Sequence, residues 1–292
     1  MPSHTIQVAS GLNLYYSDNE AAGDPILLLH SLSDNGHAFD AILDEGLSDN
    51  YRCIIPDMRG RGRSDRPPAG YTLDDHVSDL VALLDHLGLD RVAVAGHSFG
   101  GLLGLYFAHL HPERVSKLAM IDAAVELHPM TPLFLVLMTD RLGRWYPSEE
   151  NYLMSIRATP FMTFWSAYQE TMMLADTMTL PDGVIRVRTL RQHIAQVAAD
   201  VYRIRKEDWR AMAIGFKAEA LVLSATEPFL SGQHVVPEPK AFETAVLFPR
   251  GVHEAIPGNH MTMLFKGAPE MYSALVRWLE APIFEPAALA SI

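Results

Sequence analysis

Val92-Ala93-Val94-Ala95-Gly96-His97-Ser98-Phe99-Gly100-Gly101-Leu102 is the stretch on which the reading of the chain turns. Its apolar start lacks the alternation of a half-exposed strand, so it predicts a strand covered on both faces. Next comes G-x-S-x-G, and the residues beyond it continue as an apolar helix. Glycine two positions either side of Ser98 lets the backbone turn sharply and lets neighbouring elements come close. Ser98 is therefore expected to stand exposed at the carboxyl edge of a sheet. Its backbone neighbours would lie at a helix amino terminus, where unpaired N–H groups and the helix dipole favour developing negative charge.

Outward from this segment, similar unbroken apolar runs occur at Ile26 to Leu29, Cys53 to Ile55 and Leu118 to Ile121. Ile6 to Val8 and Leu12 to Tyr16, split at Ser10-Gly11, predict a hairpin at a sheet edge. A helix is expected after Thr72, with Asp75 completing a capping box and Val77, Leu80, Val81, Leu84 and Leu87 forming one apolar stripe. Strands alternating with helices in this way predict an α/β protein built on a parallel sheet. From Glu126 to Gly215 the alternation stops, and the region reads as mostly helical, broken near Pro147, Pro160 and Pro181-Asp182-Gly183, with no buried strand. Half of the 14 methionines fall between Met130 and Met178, among many aromatic residues. That composition suits either ordinary helical core or a cap whose adaptable apolar face roofs a small-molecule pocket. The α/β pattern then resumes with a strand at Ala220 to Leu223, a helix at Glu238 to Phe248, a strand at Val252 to Ile256 and a last helix at Pro269 to Glu280. The tail from Ala281 to Ile292 is expected to be irregular.

The 292 residues, 49% hydrophobic and 20% charged, suit one compact unit or a core carrying an inserted subdomain. A net charge of −12 leaves no diffuse basic surface for a nucleic-acid backbone. Cys53, the one cysteine, reads as a small buried hydrophobe and cannot form an intrachain disulfide. The 13 histidines form no compact ligand pattern with carboxylates, so no metal is expected. Without a basic amino-terminal segment leading into an apolar stretch, and with its most apolar run, Leu133 to Met138, too short for a bilayer, the chain is expected to be cytoplasmic and free of membrane.

A serine hydroxyl needs a base to take its proton. His260 is the best placed, because Pro257-Gly258-Asn259-His260 leaves the last strand at the edge where Ser98 sits. His253 falls inside that strand, and His97, though adjacent to Ser98, should diverge from it at a sharp turn. The base in turn needs a carboxylate on its second nitrogen. Asp122, ending the strand after Ser98, is preferred, with Glu227 as the alternative, while Asp57, Glu126 and Glu254 read as solvated or structural. An oxyanion would be held by the amide N–H groups of Phe99 and of Leu32, the latter in the turn His30-Ser31-Leu32-Ser33.

Taken together, His30-Ser31-Leu32, Asp57-Met58-Arg59-Gly60-Arg61-Gly62-Arg63-Ser64-Asp65, Gly96-His97-Ser98-Phe99-Gly100 and Pro257-Gly258-Asn259-His260 resemble the α/β-hydrolase superfamily over nearly the whole chain. The resemblance implies an α/β-hydrolase fold: an eight-stranded, mostly parallel sheet with helices on both faces and an inserted helical cap. Residues 1–123 and 216–292 would form the core, and 124–215 the cap. Two departures stand out. His30-Ser31 replaces the usual His-Gly of the oxyanion turn, and Ala225-Thr226-Glu227-Pro228 lacks the aspartate many members carry after the penultimate strand. The second raises Asp122, a placement known in haloalkane dehalogenases and in the serine hydrolase acting on E-2-(acetamidomethylene)succinate, which this chain resembles around Ser98, Asp122 and Leu221 to Leu230. Ser98 also disfavours epoxide hydrolase and haloalkane dehalogenase activity, since those members use an aspartate nucleophile.

The expected activity is that of a cofactor-independent serine hydrolase acting on a carboxylic ester, with amide or lactone cleavage close behind. Carbon–carbon or amide hydrolysis of a small carboxylate is a second reading, with Arg141, Arg144 and Arg157 as candidate carboxylate binders. A third is a non-catalytic small-molecule receptor on the same scaffold.

Overall fold

Apolar runs that never alternate with polar residues must lie between two apolar layers. In the computed structural model, which describes residues 1–282, they form the middle of one sheet. β1 (Ser3–Gln7) and β2 (Asn13–Asp18) make the expected hairpin. β3 (Pro25–Leu29), β4 (Arg52–Pro56), β5 (Val92–His97) and β6 (Val115–Ile121) follow. Three short strands, β7 (Trp145–Tyr146), β8 (Thr177–Thr179) and β9 (Ile185–Val187), stand apart, and β10 (Ala220–Ala225) and β11 (Gly251–Ile256) complete the main sheet. Its order is β1-β2-β4-β3-β5-β6-β10-β11, eight strands in which only the pairs β1·β2 and β2·β4 are antiparallel. Every residue of β5 and β10 is buried, as their composition predicts.

Helices cover both faces. α1 (Leu73–His86) opens on the predicted capping box, Thr72 and Asp75 each accepting the other's backbone N–H. α2 (Phe99–Leu110) follows the Ser98 turn. The region beyond β6 supplies α3 (Thr131–Met138), α4 (Glu149–Arg157), α5 (Ala167–Ala175), α6 (Arg191–Arg203) and α7 (Lys206–Gly215). α8 (Glu238–Leu247) and α9 (Ala268–Glu280) close the described chain. One layer runs α1, α2, α7, α8 in contact order; the other sets α9 against the short helical turns at 40–47. The sheet-covering layer thus resumes at Lys206, inside the segment 124–215 expected to be cap.

A second difference lies in the same segment. Its pattern predicts no buried strand, yet β7, β9 and β8 form a three-stranded antiparallel sheet with Ile185 and Val187 buried. Pieces of two or three residues are too short to show a period. Pro181-Asp182-Gly183, which reads as a helix break, is the β8–β9 hairpin turn, with Gly183 at φ 84°.

One buried polar side chain locks the main sheet to its surroundings. Lys117 in β6 donates its ammonium to the carbonyls of Trp278, Leu279 and Ala281, which the last turn of α9 would otherwise leave unpaired. Cys53 is enclosed in β4, where burial pushes its thiol up to about 12. The tail expected to be irregular lies, from residue 283 on, outside the described residues.

Candidate active site

Between β5 and α2 the chain reverses at a single residue: Ser98 has φ 54° and ψ −115°. Such a conformation costs a non-glycine residue about 1–3 kcal/mol and persists only when its surroundings hold it. Here the Ser98 N–H donates 2.7 Å to the Ile121 carbonyl, and its own carbonyl accepts from Gly101. A Cβ on Gly96 would lie 2.1 Å from the Gly100 backbone, and one on Gly100 would lie 2.2 Å from the Leu29 carbonyl oxygen. Glycine at both positions therefore lets α2 start almost in contact with β3. Ser98 is half-buried, and its hydroxyl makes no hydrogen bond among the described residues.

One strand away, Asp122 follows β6 with φ 44°. Its N–H donates 2.7 Å to the Leu223 carbonyl, and one carboxylate oxygen accepts the Ala225 N–H at 3.1 Å. The other accepts Nδ1–H of His260 at 2.6 Å, with side chains only 1% and 2% exposed respectively. With Nδ1 so engaged, Nε2 is the nitrogen left open. Ser98 and Asp122 line one cleft, of about 50 Å³, and the His97 ring lies 4.8 Å from that of His260. Asp122 thus shares a cleft with Ser98 and a hydrogen bond with His260, while no hydrogen bond joins Ser98 to His260 among the described residues. Such contacts often tighten only around substrate.

The rivals go elsewhere. Glu227 pairs with Lys266, and His253 Nε2 meets the Ser224 hydroxyl at 2.9 Å. His97 packs beside His260. Burial above all, and then the charge of His260, lower its pKa to about 4, so it stays neutral there.

The turn after β3 is tied down from several sides. His30 donates through Nδ1 to the Ser31 carbonyl and accepts the Met58 N–H at Nε2, 3.0 Å away. Arg61, wholly buried, donates to the Leu32 carbonyl at 2.9 Å, and Arg141 donates to the Ser33 carbonyl at 2.8 Å. Two guanidinium groups therefore take successive carbonyls, while the Leu32 N–H enters no described hydrogen bond. Phe99, first in its helix, has no partner for its N–H within that helix. Sequence reasoning misses the part of either arginine. Arg61 sits in the Asp57 to Asp65 segment, which marks its neighbourhood, whereas nothing local marks Arg141 as a brace.

Arg141, Arg144 and Arg157, the candidates for holding a substrate carboxylate, are all occupied. Besides Ser33, Arg141 lies 3.8 Å from Asp34 and 3.7 Å from Asp176; Arg144 pairs with Asp140, and Arg157 with Glu170. Arg141 borders a second cavity, of about 240 Å³, lined by Met138, Met162, Met173 and Met261 together with Ile156 and Phe161. Met261 adjoins His260, so this apolar space reaches the loop carrying His260.

A family model described as alpha/beta hydrolase fold matches residues 24–266. The cis-3-alkyl-4-alkyloxetan-2-one decarboxylase of Xanthomonas campestris pv. campestris is 34% identical over 155 residues, 48% of this chain and 51% of that protein. Epoxide hydrolase 2 of Siraitia grosvenorii is 37% identical over 121 residues, 41% of this chain and 38% of that one. The matches span about half or less of these curated relatives. Among solved structures, E-2-(acetamidomethylene)succinate hydrolase superposes with a TM-score of 0.82 at 19% identity, covering 96% of this chain and 99% of that one. The enol-lactonase of Burkholderia xenovorans gives 0.72 at 22% identity, covering 94% and 99%. At such identities the likeness is one of fold.

Proposed function

This chain belongs to the α/β-hydrolase family, and from that premise we propose that it is a serine hydrolase cleaving carboxylic esters of small, largely apolar substrates through an acyl-enzyme. The observation that carries the reading is the buried hydrogen bond between His260 and Asp122, an aspartate that lines the same cleft as the strained Ser98, whose hydroxyl makes no hydrogen bond among the described residues. Ser98 Oγ attacks the carbonyl carbon while His260 Nε2 takes its proton, and Asp122 holds the imidazole and stabilises the imidazolium. The N–H groups of Phe99 and Leu32 receive the oxyanion. As the intermediate collapses, His260 returns the proton to the departing alkoxide. Water, deprotonated by the same nitrogen, then attacks the acyl-Ser98 ester and releases the acid. In this reading parts of the 124–215 segment, including Arg141 and the methionine-lined cavity, roof the site.

Ser98 at the turn favours this reading over the epoxide chemistry in a relative's name, which needs an aspartate nucleophile. The pairing of Arg141 with two aspartates favours neutral over carboxylate-bearing substrates, because it leaves little surplus positive charge. The test is labelling with a fluorophosphonate, followed by a panel of p-nitrophenyl esters, amides and lactones. Wild-type protein should be labelled at Ser98 and should prefer short apolar esters. Ser98→Ala should lose the label and about four or more orders of magnitude in turnover while staying folded. Hydrolysis undiminished in Ser98→Ala would overturn the assignment.

A further inference from the structure

The residue before the base is bound more thoroughly than any other in its loop. Asn259 is fully buried, and each side-chain atom able to hydrogen-bond is used. Its Oδ1 accepts the Met261 N–H at 2.9 Å, an Asx-type turn around His260, and also the Thr262 hydroxyl at 3.1 Å. The Thr262 hydroxyl in turn accepts the Asn259 N–H at 2.9 Å. The amide nitrogen points the other way. Nδ2 donates to the Phe161 carbonyl at 2.8 Å and to the Thr163 hydroxyl at 3.3 Å, both on the connection between α4 and α5. Phe161 is gripped from its other side, its ring stacked on Phe229 with centroids 4.7 Å apart. One amide thus closes the turn holding His260 and fastens that turn to a fixed point of the overlying segment.

We infer that Asn259 is a positioning residue for His260: it keeps the imidazole aimed between Asp122 and Ser98 by anchoring the base loop to the Phe161–Thr163 backbone. This rests on the reading of His260 as the base of Ser98. The physical reason is that His260 reaches the site on a loop, whereas Ser98 and Asp122 are held by adjacent strands. A loop needs an outside anchor if the base is to stay within hydrogen-bond reach, and displacement by about an ångström can cost a hundredfold in rate.

Asn259→Ser isolates the anchor, because a serine hydroxyl can still accept the Met261 N–H but is too short to reach the Phe161 carbonyl. Its rate of fluorophosphonate labelling and its kcat should fall together, about ten- to hundredfold, with KM and melting temperature close to wild type. A purely structural role would lower melting temperature and leave both rates intact in the folded protein. Labelling and kcat at wild-type values in Asn259→Ser would overturn the inference. If that variant does not fold, Thr163→Val and Thr163→Ser take its place, since the Thr163 hydroxyl is one end of the anchor: slowing confined to the valine variant supports the anchor, and equal rates in the two refute it. Failure of wild-type protein to be labelled at Ser98 would instead sink the underlying serine-hydrolase reading.

Discussion

Ser98 and Asp122 stand at the ends of β5 and β6, neighbours whose pairing runs without a break from Ala93 opposite Lys117 to His97 opposite Ile121. The walls of the methionine-lined cavity come from another kind of structure: helices of eight or nine residues, a strand of two, and loops. The first region is held by a ladder of backbone bonds and by glycines that tolerate no side chain. The second is held by side chains, such as the stacked Phe161 and Phe229 and the Arg141–Asp176 pair. Ser98 and Asp122 thus sit on backbone fixed by the ladder, whereas the cavity walls and the loop of His260 depend on side-chain contacts for their placement.

That contrast can be broken first at the acid. Asp122→Asn should lower kcat by about 10⁴, since it disturbs the tautomer and orientation of His260, whereas Glu227→Gln should leave turnover near wild type. A crippled Glu227→Gln enzyme beside an active Asp122→Asn enzyme would move the acid off the ladder. Backbone tolerance gives a second measure, read in denaturant melts. Gly100→Ala should cost about 3 kcal/mol or more, because its methyl group meets the Leu29 backbone. Gly183→Ala, in the β8–β9 turn with open space around it, should cost only about 1–2 kcal/mol for its left-handed conformation. Equal losses would mean that the two regions are equally constrained.

A third measure is pH. Burial raises Asp176, which follows α5, from 3.8 to about 6, so its carboxyl holds a proton more tightly folded than unfolded. Its contribution to stability is full below the unfolded value and is lost as pH rises through about 6. His97, on the sheet side, is lowered from 6.5 to about 4, so its contribution is full above 6.5 and is lost as pH falls towards 4. Relative to wild type, Asp176→Asn should therefore gain stability as pH rises from 4 to 6, and His97→Gln as pH falls from 6.5 to 4. Denaturation midpoints across that range should show opposite slopes, and slopes of the same sign would contradict the assignment.

The same division explains which parts of the molecule are legible in its sequence. Continuous apolar runs, the glycines around Ser98 and the Thr72–Asp75 cap are local signals, and each sits where its pattern places it. The pairing of Asp122 with His260, and the shared cleft of Asp122 and Ser98, are legible because all three residues follow strands of the main sheet. Arg141 bracing Ser33 is not legible, because its partners lie more than a hundred residues upstream or, like Asp176, several elements downstream. A sequence displays the charge of Arg141, Arg144 and Arg157 but not the aspartates and glutamate that neutralise it. Asn259 stands out only as part of the segment leading to His260, since its bonds to Phe161 and Thr163 cross between regions that have no common periodicity.

Lys117 has a consequence for handling the protein. Its ammonium lies under the end of α9 on the strand that leads to Asp122, and the carbonyls of Trp278, Leu279 and Ala281 are what make that burial tolerable. A truncation that removes these residues would strand a cation inside the sheet. Trimming that far, even though it begins at the opposite end of β6, would then be felt at the acid.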